Sequence, residues 1–181
     1  MRVIIVGGGI MGLSTALALV RDGHRVTVFD QGAIPNPHGS SVDQHRLIRH
    51  AYGPMTGYAR MIDGALAAWG RMWEALDVSC LHPTGTLVLA REDLSWAEVA
   101  VDEMKDQGIP TELLTRAGLE TRYPWLDASG VELAALIDSG GVLMADEIVR
   151  RLARHLLMRG VTMNTHTPVV DIDPVRGTVT L

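Results

Sequence analysis

The residues best placed to do chemistry fall within the first fifty. Gly7-Gly8-Gly9-Ile10-Met11-Gly12 satisfies G-x-G-x-x-G, a pattern that carries weight only when a strand precedes it and a helix follows. Both are expected here. Val3 to Val6 reads as a short strand buried on two faces, and Leu13, Ala16, Leu17 and Val20 recur at helical spacing until Asp22-Gly23 supplies a stop. A second strand, Val26 to Phe29, ends at Asp30. Each residue type then has a physical task in holding a dinucleotide. Gly7 permits a tight turn, Gly9 lets backbone approach a pyrophosphate, and Gly12 lets helix pack closely on strand. The helix start at Ile10 and Met11 would present amide hydrogens and partial positive charge to the phosphates. Asp30 would accept ribose hydroxyls and repel a 2′-phosphate. NAD and FAD share the ADP half that this motif reads, so the residues alone leave both open.

Arg46 and Arg49 lie three apart on an irregular segment, and by themselves arginines so placed read as solvated or paired with surface acids. The remaining reactive types read as inert. Cys80 has no basic neighbour arranged to activate it, and Lys105, the only lysine, falls in a solvated helix. His155 reads as surface or boundary, and His166 has no assigned role. A single cysteine without CxxC spacing gives no metal site and fits a reducing, cytoplasmic compartment.

Behind these residues stand the elements that must position them. Gln31 to Asp43, with two prolines, Gly39 and two serines, is a long irregular segment of the kind that usually carries function. From Tyr58 to Leu76, Met61, Ile62, Ala65, Leu66, Trp69, Met72, Trp73 and Leu76 trace an apolar helix face expected to be packed. Thr86 to Ala90 reads as a strand, and Ser95 with Glu98 as a capping box opening a helix to about Gln107. A strand at Thr111 to Leu114, a helical turn closed by Pro124 and an extended segment from Val131 to Ile137 follow. Asp146 is expected to cap a helix with Ile148, Val149, Leu152, Leu156 and Leu157 on one side and Gly160 past its end. Strands at Val161 to Met163, Val169 to Ile172 and Thr178 to Leu181 close the chain.

A chain of 181 residues, 47% hydrophobic and 20% charged, can bury a real core. Its net charge of -5 argues against a nucleic-acid partner, which requires a basic face. The apolar run from Val3 to Val20 is interrupted by four glycines and is followed by no small-residue cleavage site, so neither a membrane span nor a signal peptide is expected.

The segment Pro35-Asn36-Pro37-His38-Gly39-Ser40-Ser41 leading to Arg46-Leu47-Ile48-Arg49-His50-Ala51-Tyr52-Gly53 resembles the family of glycine and D-amino acid oxidases, in particular its sarcosine oxidase and N-methyltryptophan oxidase branch. Thr84-Gly85-Thr86-Leu87, Pro124-Trp125 and Ser139-Gly140-Gly141-Val142 extend that resemblance more loosely. It implies an α/β fold: a Rossmann-like FAD-binding domain at 1–80 and 141–181 with an inserted α+β piece of a substrate domain at 81–140. It implies FAD as cofactor, contacted by Gln31, Ser40 and Ser41 besides the glycine turn and Asp30, with Val169 setting backbone against the adenine. Arg46 would lie near the flavin ring and Arg49 would hold the carboxylate of an amine or amino-acid substrate. Val42 replaces a histidine common in the branch, and His45 stands where the branch differs. Family chains are considerably longer, and their C-terminal half, with a lysine that promotes oxygen reduction, is expected to be absent here. An inactive fragment, self-associating through an uncovered sheet edge at the last strand, is the resulting expectation. An NAD-dependent dehydrogenase and a non-catalytic nucleotide-binding fragment are the rival readings.

Overall fold

The computed structural model describes every residue except Val42, so the substitution noted there lies outside the described residues. In chain order the elements are β1 (Arg2–Val6), α1 (Ile10–Arg21), β2 (Arg25–Phe29), β3 (Arg46–Ile48), α2 (Thr56–Leu76), β4 (Leu81–His82), β5 (Thr86–Ala90) and α3 (Ser95–Asp106). Then come β6 (Thr111–Leu113), α4 (Arg116–Arg122), β7 (Leu133–Ile137), β8 (Gly141–Leu143), α5 (Ala145–Met158), β9 (Thr162–Asn164), β10 (Asp171–Asp173) and β11 (Thr178–Thr180). The chain divides into two compact units, one of residues 1–46, 76–80 and 144–181, the other of residues 47–75 and 81–143. The segment 47–75 therefore groups with 81–143, whereas the expected boundaries put it with the N-terminal strands.

The first unit is built on a parallel sheet in the order β1-β2-β9. α1 connects β1 to β2 and packs against both strands and against α5. Its register of small and apolar residues explains the fit: Leu13, Ala16 and Leu17 are buried from α1, and Ile148, Val149, Leu152, Ala153 and Leu156 from α5. Val26 and Val28 of β2 lie beneath them. α1 ends at Asp22, followed by Gly23 at φ 77°, a left-handed position that glycine adopts without penalty. The sheet order leaves β1 paired on one side only among the described residues, and Ile4 and Val6 of β1 are about half exposed.

Two expectations for this unit need correction. Asp146 does not cap α5: Met144 occupies that position, and Asp146 sits in the first turn paired to Arg150. An acid there meets the positive helix end by position rather than by a cap bond. Leu157 is exposed, because the buried stripe runs through Leu152, Ala153 and Leu156 instead. Among the described residues β11 pairs only with β10, in an antiparallel hairpin, so the last strand keeps one unpaired edge, as do β1 and β9 in the main sheet.

The second unit contains the antiparallel sheet β5-β7-β6. α3 packs on one of its faces through Ala97, Ala100, Val101 and Met104, against Val88, Ala135 and Ile137. A separate cluster around Leu119, Ala128 and Ala134 takes up Leu87 and Leu89. Alternation along β5 and β7 thus sends side chains to two covered layers, the period-two signature of a strand. A further small sheet has the order β3-β8-β4. No capping box opens α3. Leu94 stands at the cap position, and the Asp93 carboxylate accepts from both the Ser95 amide at 3.0 Å and the Ser95 hydroxyl at 2.6 Å. On α2 only Ala59, Ile62 and Met72 are buried, and Met61 is exposed. The apolar face there is wider than the surface available to cover it within the unit.

Among the described residues no helix is long and apolar enough to cross a membrane.

Candidate cofactor and substrate sites

In the first unit, the turn from β1 into α1 is set by backbone. Gly7 donates to the Phe29 carbonyl at 2.7 Å and takes φ 103°, which a side chain would resist. A Cβ on Gly12 would collide with the Gly7 carbonyl oxygen, so only glycine lets α1 approach β1 this closely. Gly9 stands at the helix start without a side-chain cap. The amides of the first turn have no intrahelical acceptors and are free for an anion, apart from that of Ile10, which donates to Ser41 Oγ at 3.1 Å.

Asp30 ends β2 and is held from several sides. Its Oδ2 accepts from the Gly8 amide at 2.8 Å, and its Oδ1 accepts from the Gly32 amide at 2.8 Å and from Asn36 Nδ2 at 3.2 Å. A carboxylate has about four acceptor sites, so one on Oδ2 is left for a hydroxyl. The backbone of Asp30 is fixed as well, its amide donating to Asn164 and its carbonyl accepting from Thr167. Asn36 also accepts from the His38 amide at 3.0 Å, tying the irregular loop to the end of β2.

These groups line a cavity of about 420 Å³ within the first unit, bounded by Gly7, Gly9, Asp30, Ser41, Thr167 and Val169 among others. Gln31 and Ser40 also face it, whereas Ile10, Met11, Gly12 and Arg46 are not part of its lining. Met11 is exposed on the first helical turn, and Gly12 acts through packing. Arg46 pairs with Asp43 and donates to the Ser40 carbonyl at 2.8 Å, so its guanidinium braces the serine loop. A nucleotide's ADP half fits this donor set: a glycine turn open to backbone approach, helix amides for phosphate and one carboxylate acceptor for ribose. Asn36 and Thr167 were missed by sequence reasoning, since a side chain reaching back six residues within a loop leaves no periodic trace.

Arg49 belongs to the second unit, apart from the unit holding Arg46. Its guanidinium carbon lies 5.3 Å from the Tyr52 ring centre and 5.7 Å from that of Trp96, cation–π distances that hold a charge against a ring face. Gly53, at φ 55°, leaves room for Trp96, whose indole a Cβ at that position would strike. None of the ion pairs among the described residues involves Arg49. A half-buried arginine with aromatic faces and unclaimed N–H edges can take a carboxylate edge-on. The signal that could have found Trp96 was absent, because a tryptophan near a helix start reads as core.

Burial pushes the Cys80 thiol above its ordinary value, outweighing the pull of Arg151 in the other direction. An unreactive thiol results, although a basic neighbour is present where the sequence suggested none. Burial, followed by the charges of Arg159 and Arg21, lowers the pKa of His155. Lys105 is exposed and paired with Asp102.

The model of the family described as FAD dependent oxidoreductase matches residues 2–181. A mouse protein named peroxisomal sarcosine oxidase is 30% identical over 171 residues, covering 94% of this chain and 44% of the mouse protein. Monomeric sarcosine oxidase from Bacillus sp. (strain B-0618) is 26% identical over 172 residues, with the same shares covered. Among solved structures, NikD, described as an unusual amino acid oxidase essential for nikkomycin biosynthesis, superposes with a TM-score of 0.84 at 22% identity, covering 95% of this chain and 44% of that one. L-proline dehydrogenase from P. horikoshii gives 0.78 at 24% identity, covering 95% and 46%. At such identities these two show the fold. The chain spans less than half the length of these relatives.

Proposed function

The chain belongs to the FAD-dependent oxidoreductase family, and on that premise we propose that it binds the ADP half of FAD at Gly7–Gly12 and Asp30 and serves oxidation of an amino acid at its C–N bond. Secondary or N-methylated amino acids are the substrate class, a reading supported by the sarcosine oxidases it is similar to. When bound, FAD supplies the acceptor for hydride from the carbon beside nitrogen, giving an imine that water hydrolyses.

The chain's own residues bind and orient. Asp30 accepts from the ribose, the α1 amides face the pyrophosphate, Ser40 and Ser41 contact the cofactor with Gln31, and Val169 sets backbone against the adenine. Arg46 keeps the serine loop in place near the flavin ring. Arg49 holds the substrate carboxylate, which fixes the carbon to be oxidised relative to that anchor. The observation that carries the substrate reading is the Arg49 guanidinium, stacked on Tyr52 and Trp96 with no acid partner. A cytoplasmic location accords with the single cysteine, while the mouse relative is named for the peroxisome.

We further propose that these 181 residues bind nucleotide without turning over amines, since productive orientation needs both faces of a flavin held with little slack and the chain spans 44% of its sarcosine oxidase relatives. The experiment is to purify the chain, add FAD, and follow bound flavin together with peroxide release from N-methyl and D-amino acids. Bound flavin without peroxide is expected. Turnover near 1 per second or faster, the ordinary enzymatic range, overturns the inactive reading, and NAD binding without FAD binding overturns the cofactor reading.

A further inference from the structure

His50, next to Arg49, is the most buried polar side chain in the second unit, 2% exposed. Both ring nitrogens are engaged: Nε2 lies 3.1 Å from Asp63 Oδ1 and Nδ1 lies 2.6 Å from Ser139 Oγ. A carboxylate only accepts, so Nε2–H donates to Asp63. In a neutral ring that leaves Nδ1 to accept from the Ser139 hydroxyl. An imidazole desolvated to this degree is costly unless both nitrogens are satisfied, and here they are satisfied by residues 13 and 89 positions away.

The Ser139 end is itself pinned. Its carbonyl accepts from Thr86 Oγ1 at 3.0 Å. The next residue, Gly140, has φ 88°, and a Cβ there would strike the Ile48 carbonyl and come within 3.0 Å of Arg49 Cα. The turn from β7 into β8 therefore presses backbone to backbone on Arg49, while the adjoining serine grips the ring of His50. This gives a task to Ser139-Gly140-Gly141, which the binding roles above leave without one.

We propose that His50, Ser139 and Gly140 form a clamp that sets the position of Arg49, making His50 and Ser139 positioning residues for carboxylate recognition. The inference rests on Arg49 as the carboxylate anchor for its meaning, but its geometry stands without any cofactor. The ring–hydroxyl bond and the glycine contact fix the backbone of Arg49. Tyr52 and Trp96 then fix its guanidinium. Two anchors on one side chain leave its N–H edges preorganised, which lowers the ordering cost of binding a carboxylate.

The test uses the 181-residue chain without FAD or amine, so failure of the proposed reaction does not affect it. The readout is the side-chain Nε–H resonance of Arg49 in nitrogen–proton correlation spectra, assigned by its disappearance in Arg49→Lys. Stacking beside two aromatic rings is expected to shift it away from those of exposed arginines. Ser139→Ala, which deletes one hydroxyl, is expected to move it toward the exposed-arginine position, and Ser139→Thr, which keeps a hydroxyl, to leave it near wild type. Met104→Leu, in the core of the same unit, controls for lost stability measured by thermal denaturation. An unmoved Arg49 resonance in folded Ser139→Ala, or an equal movement in a Met104→Leu protein of matching stability, would overturn the clamp and leave His50 a structural residue.

Discussion

The two units prepare their candidate sites by opposite means. In the first, the groups that would meet a ligand are mostly backbone, and the key side chain, Asp30, is held by two amides and Asn36. In the second, a single side chain, Arg49, is held by other side chains and by close backbone approach, through Tyr52, Trp96 and Gly140. A backbone cradle suits phosphates, which all nucleotides share. A side-chain clasp can be altered one residue at a time, so it suits a substrate that differs among relatives. The difference also predicts where each unit is brittle.

Gly12→Val should have the largest effect, because the added carbon meets the Gly7 carbonyl, which is backbone and cannot swing aside. Overpacking of this kind costs about 1–3 kcal/mol or more, read as a fall in the denaturation midpoint, with loss of ADP-ribose binding. Gly64→Ala in α2 supplies the contrast. A Cβ there meets nothing within 4 Å, so stability should rise by roughly 0.5–1 kcal/mol. If both glycines tolerate substitution equally, the cradle is not held by that contact.

Arg49→Ala should weaken binding of the substrate amino acid in a catalytically competent form by about 1.5–3 kcal/mol, the range for a charge-assisted contact. Arg49→Lys should recover little, since an ammonium lacks the planar fork. Anaerobic titration of the amino acid measures this, and equal affinity in Arg49→Ala would remove Arg49 from the site while leaving the first unit's role intact.

The smallest expected effects concern pH and again divide the units. In the first, His155 has a folded pKa below the ordinary histidine value of about 6.5, because burial and then Arg159 and Arg21 disfavour its charged form. The unfolded chain binds the proton more readily, so stability should fall as pH drops below about 6.5. His155→Gln should flatten that slope. In the second unit, Asp93 is held below its ordinary value by the Ser95 hydroxyl and amide. Its contribution is present above the unfolded carboxylate value of about 3.9 and is lost as pH falls through the lower folded value. Denaturation midpoints between pH 3 and 8, for wild type, His155→Gln and Asp93→Ala, separate the two windows. A His155→Gln profile parallel to wild type near pH 6 would show that another group controls it.

The same contrast explains what could be read from residue order. The helix expected from Ile10 to Arg21 has those bounds in the structure, because glycine turn, apolar spacing and Asp22-Gly23 stop all act within one local stretch. Residues of the backbone cradle were therefore legible individually. Arg49 could be singled out only through resemblance, and its clasp could not be read at all: Trp96 and Ser139 lie far along the chain, and neither has a spacing relation to residue 49. Helix starts were misread for a related reason. Ser95 with Glu98 and Asp146 satisfy cap patterns, yet in α3 a competing acceptor, Asp93, sits two residues before Ser95, and α5 starts after Met144, which makes no side-chain cap bond, so that Asp146 falls inside the first turn. On α2, periodicity identified the helix but could not say how much of its apolar face the rest of the unit covers.

Whether the glycine turn and Asp30 together hold the ADP half of a dinucleotide is read by calorimetric titration of the purified chain with FAD and with ADP-ribose. Asp30→Asn is the informative variant, since it keeps the shape but replaces one acceptor oxygen by a donor. Wild type is expected to bind both ligands, and Asp30→Asn to bind each at least about tenfold more weakly, a loss of about 1.4 kcal/mol. Equal affinity in the two proteins, or no binding of either ligand by folded wild type, would contradict that role for the turn and Asp30.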